Sequence, residues 1–258
     1  MTTSTPQTAV PAEPAPESVP ARRGSARPAA AALCALLGVG LVGGAGVSGW
    51  AEQRAAHRPL AAGAAYRQAG SLWRATPVDT LFPPVLDGAD AGPGGADRTW
   101  TRVALAPDTD CRPALAPDWQ AALAATGCTR VLRATYTDAT RSSLVTVGMV
   151  FTPAGAPAME ALRGHLPAPP GYGFADSQRA AWTASVIPGA PVVVYTVSAF
   201  TDGRLLDAPR PAEDTMRKDA TGAVAQAGLG HEAKAVADRM ARSVHTLAAP
   251  DAPSGAGR

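Results

Sequence analysis

Few side chains in this chain stand at spacings that chemistry could use. His231 and Glu232 open like the helical H-E-x-x-H zinc face, but Ala235 occupies the second histidine position, so two imidazoles cannot converge on one face. A serine nucleophile needs G-x-S-x-G to expose its hydroxyl on a strained turn, and the chain has no such spacing. The glycines at 38–49 lie inside an apolar run and those at 88–95 open no helix, so neither cluster makes a phosphate-binding loop. His57, His165, His231 and His245 are scattered and read as solvated or capping groups. No general base, metal site or cofactor is assigned, and the chain reads as a non-enzyme.

Two sets of residues remain. Cys111 and Cys128 flank a predicted helix, form no C-x-x-C pair and have no histidine at ligand spacing, so a disulfide is the economical reading. It would contribute about 3 kcal/mol by loop entropy and persist only in an oxidising compartment. Asp138, Arg141, Asp202 and Arg204 fall at hairpin ends, which can gather on one sheet edge as a polar recognition site. The Thr-Asp-Ala-Thr run at 137–140 and Asp-Gly at 202–203 are equally what turns require, so both readings stand.

The 258 residues are 46% hydrophobic and 17% charged with a net charge of +2, and no cluster of cations suits a nucleic-acid backbone. Residues 1–28 have almost no large apolar side chains and are expected to be a disordered cytoplasmic tail. Residues 29–50 carry no charge and are long enough for one transmembrane helix through a lipid bilayer, with Arg22, Arg23 and Arg27 before it and Trp50 and Arg54 after it. A cleaved secretory signal is the rival reading. Gly40 and Gly44 form a GxxxG spacing that would let two copies pack as a homodimer, although a glycine-rich span yields such a match by chance. Cys34 reads as an apolar thiol within the span. The slight arginine excess before the span and the cysteine pair after it both place the C-terminal part outside the membrane.

Beyond the span, 51–97 is expected to be a juxtamembrane stalk and Gly/Pro loop, 98–248 an extracytoplasmic domain, and 249–258 a fraying end. Strands are expected at 99–105, 129–137 and 144–152, the last with Val145, Val147, Met149 and Phe151 alternating with Thr146 and Gly148. A helix at 117–126 stops at Gly127, and a short one covers 156–162. Residues 180–201 are uncharged, but Pro188, Gly189 and Pro191 make them a strand, a turn and a strand instead of a second span. Helices follow from 212 to 248, split near Gly228 and Gly230. The order strand, helix, strand, strand, helix, strand implies an α+β domain of the ferredoxin-like, split βαβ kind.

The Pro-rich tail, the single Ala/Gly-rich span, Leu81-Phe82-Pro83-Pro84, Gly127-Cys128, the run 133–138 and Asp202-Gly203-Arg204 together resemble actinobacterial single-pass membrane-anchored exported proteins. The resemblance implies location and architecture and brings no catalytic residues. The expected function is a non-enzymatic extracytoplasmic domain that binds a ligand or an envelope protein partner. The alternatives are an exported hydrolase of unfamiliar type and an accessory subunit of an envelope export or division complex.

Overall fold

The structure, a computed structural model, describes residues 62–92, 95–107 and 109–248. The expected tail, the span at 29–50 with Cys34, Gly40 and Gly44, and the end at 249–258 lie outside the described residues. Among those described, no helix is long and apolar enough to cross a membrane. The chain runs α1 (Ala62–Ala69), α2 (Leu72–Ala75), α3 (Val78–Leu81), β1 (Val85–Gly88), β2 (Arg98–Leu105), α4 (Cys111–Ala114), α5 (Pro117–Ala122), β3 (Arg130–Asp138), β4 (Ser143–Phe151) and α6 (Ala156–Ala161). A 3-10 turn at Asp176–Gln178 precedes β5 (Ala181–Val186), β6 (Val192–Phe200), β7 (Arg210–Pro211), α7 (Ala212–Thr215), α8 (Ala223–Gln226) and α9 (Leu229–Ala248).

One seven-stranded sheet runs in the order β1-β2-β3-β4-β6-β5-β7. Every neighbouring pair is antiparallel except β5 and β7. The domain is therefore α+β, but the ferredoxin-like expectation is wrong. A split βαβ unit uses its helices to cross between parallel strands, whereas α4 and α5 here connect β2 to its adjacent antiparallel partner β3. Nor is the membrane-spanning part of that expectation met by any described helix.

The alternation expected in β4 sets the two faces. Val145, Val147, Met149 and Phe151 join Trp100, Tyr136 and Val194 in one buried cluster. That layer is closed by Val236, Met240 and Val244 of α9, whose i, i+4 and i+8 spacing makes one helical stripe. It is also closed by Ala69, Leu72, Leu81 and Phe82, so the segment expected to be a stalk packs into the core from the end of α1 onward and supplies edge strand β1. On the opposite face, Val131, Val150, Val193 and Tyr195 meet Trp119, Leu123, Met159 and Leu162.

β6 is buried along its whole length, as suits an interior strand covered on both sides. Its Tyr195 lies opposite Gly148 in the β4 register, and a Cβ on Gly148 would fall 2.0 Å from the Tyr195 ring. The phenol takes the volume that any larger residue at 148 would need. Cys111, the first residue of α4, is disulfide-bonded to Cys128 with Cα atoms 6.1 Å apart, which pins the β2–β3 connection to the start of β3. Between them Gly127 adopts φ +67° and donates its N–H to Leu123 O, the positive-φ stop its position implies.

Candidate functional site

The two turns expected to share an edge do meet. Thr201 Oγ1 donates to Arg141 O at 2.8 Å and Thr201 N–H donates to Ser142 O at 3.2 Å, joining the β3–β4 turn to the end of β6. The four charged side chains nevertheless do not converge on a common point. The Asp138 carboxylate is buried and accepts from the backbone N–H groups of Ser142 (2.7 Å), Ser143 (2.8 Å) and Thr140 (3.2 Å), and from the hydroxyls of the same residues. Burial alone would raise its pKa, but these donors, Thr140 foremost, hold it down at about 2. Asp138 therefore acts as a turn organiser, and Arg141 takes the positive φ of 56° that the turn requires.

Asp202 and Arg204 spend their charge on each other. Arg204 Nε donates to Asp202 Oδ2 at 2.9 Å, and its guanidinium lies 4.1 Å from the centre of the Phe200 ring. Hydrogen bonding within the pair lowers the Asp202 pKa and raises that of Arg204. Both side chains are well exposed, so the pair adds little stability.

Behind this edge lies a buried ionic contact that the sequence reading passed over. Glu232, set aside as half of a zinc motif, sits in the first turn of α9 and is 6% exposed. Trp100 donates its indole N–H to Glu232 Oε2, and Arg98 Nε stands 3.6 Å from Oε1. Burial raises the Glu232 pKa, opposed by the Trp100 hydrogen bond and by Arg98, and the nearby Asp138 charge raises it further. Trp100 and Asp138 are register partners on β2 and β3, which explains why the two carboxylates sense one another. Among the described residues, no group of three or more His, Cys, Asp or Glu could hold a metal ion.

A groove lies between α9 and edge strand β1. One part, about 430 Å³, has an apolar floor of Pro83, Leu86, Met240 and Leu247. The next part, about 530 Å³, runs on between His231 of α9 and the Asp87–Ala91 segment. Arg239 and Arg242 line both parts, so they form the rim where the two join. From His231 to Leu247 the α9 wall is ~24 Å long at ~1.5 Å per residue. The sequence signal was a pair of arginines beside the Val236–Met240–Val244 stripe, but only the placement of β1 turns that flank into a wall.

No family model matches the chain, and no curated protein or solved structure matches it either.

Proposed function

We propose that this chain is a membrane-tethered, extracytoplasmic domain that binds a protein partner along the groove between β1 and α9. The groove carries the docking part of this reading: a long concavity with an apolar floor, beside a strand whose outer edge has no sheet neighbour among the described residues. The location part is supported by the Cys111–Cys128 disulfide, which endures in oxidising compartments, and by the uncharged run at 29–50.

Two experiments on the full chain in intact cells test the two parts separately. A membrane-impermeant thiol reagent should label Cys111 and Cys128 only after reduction; labelling that appears only after lysis would put the domain inside the cell. A photo-crosslinking residue at Ser243, within the groove, should give a discrete adduct that the same residue at Glu160, exposed on α6, does not give. Equal adducts from both positions would remove the groove from consideration.

A further inference from the structure

We infer that the segment occupying this groove is an acidic, amphipathic peptide, lying with an apolar side chain against the partly exposed Pro83 and Leu247 and its carboxylates on Arg239 and Arg242. This rests on the docking reading above and names the chemistry of the partner. Arg239 and Arg242 lie three residues apart on α9, where like charges are neighbours and repel. Several cations of the domain are held by an acid, among them Arg98 by Glu232, Arg102 by Asp79, Arg130 by Asp110 and Lys234 by Asp238. No ion pair joins Arg239 or Arg242 to an acid among the described residues, and both side chains are exposed on the groove rim.

The charge pattern also gives the groove a polarity. Asp87 and Asp90 line only the His231 end, while the end at Leu247 has arginines and the hydroxyls of Ser243 and Thr246 but no acid in its wall. An acidic segment is favoured at the Leu247 end, where no acid offsets the arginines, over the His231 end, where Asp87, Asp90 and Asp238 face Lys234 and the same two arginines. Planar guanidinium forks suit carboxylates through paired N–H donors, and the apolar floor rewards a side chain such as leucine placed between them.

Three fluorescein-labelled probes test this: acetyl-Glu-Leu-Glu-Ala-Leu-Glu-amide and its counterparts with every Glu replaced by Gln or by Lys. Each is titrated by anisotropy against the full chain in uncharged detergent micelles, at low and high salt. The Glu probe is expected to bind at least ~10-fold tighter than the Gln probe, to lose that margin at high salt, and the Lys probe to bind weakest. In the R239E/R242E variant the order should invert, a gain of Lys-probe binding that an unfolded protein could not produce. Equal binding of the Glu and Gln probes, no inversion, or no binding of any probe overturns the acidic partner. A Ser243-specific adduct obtained alongside such a result would leave the docking reading standing, so the two failures are distinguishable.

Discussion

Glu232, at the start of α9, caps the buried indole of Trp100 in β2 across 132 residues of chain, with Arg98 beside it. A carboxylate in that position must give up water, and its pKa is raised above the ordinary 4.5 because burial outweighs the indole and guanidinium. An acid whose folded pKa is raised favours the folded state while protonated. Its contribution is therefore fully present below 4.5 and lost as pH rises through the raised value. Urea unfolding at a series of pH values should show Glu232→Gln gaining on the wild type as pH climbs through that window. A difference that does not change with pH would refute the assignment.

Asp138 carries the opposite sign. Its pKa falls from 3.8 to about 2 because Thr140, Ser142 and Ser143 donate to the ionised form, so its contribution is present above 3.8 and lost as pH falls toward 2. Asp138→Ala leaves several donors of the turn without an acceptor and should cost about 1–3 kcal/mol at neutral pH, with the penalty shrinking in acid as the carboxylate takes up its proton. Denaturation of both proteins at neutral pH and near pH 2 measures this directly.

Gly148→Ala should destabilise by about 1–3 kcal/mol, since the new methyl group falls within the Tyr195 ring. Adding Tyr195→Leu should recover part of the loss. A double-mutant cycle in chemical denaturation gives the coupling; additive effects would mean that strand backbone, not the phenol, dictates glycine at 148.

Replacing both Cys111 and Cys128 by Ser should lower unfolding stability by about 3 kcal/mol in the loop-entropy description. The variant should match wild type treated with reductant. An unchanged wild type on reduction would mean the crosslink contributes nothing to the fold.

β4 was legible because alternation of apolar with small or polar side chains fixes its bounds, and β6, buried throughout, was legible only because Pro188, Gly189 and Pro191 break the uncharged run just before it. β1 was not. Val-Leu-Asp-Gly offers one buried side chain, Leu86, in a region rich in glycine and proline, and its strand geometry comes entirely from pairing with β2. Strand order was also beyond reach, because β6 enters between β4 and β5 through ladders that local pattern does not encode. Losing β1 hid the groove, since Arg239 and Arg242 look like ordinary solvated positions until a second wall stands opposite them. The Cys111–Cys128 bond was legible for a different reason: a pair without metal spacing leaves few chemical options.

The apolar layer over Val147 and Met149 is closed by side chains from both ends of the described chain, Leu72 and Phe82 from one and Val236 to Val244 from the other. Synthesis from the N-terminus therefore completes all the strands before the last helix exists to shield them. In that interval the apolar face of the sheet stays open to solvent and to other chains. Only α9 completes its closure, so a stop codon before Leu229 should leave a protein that aggregates.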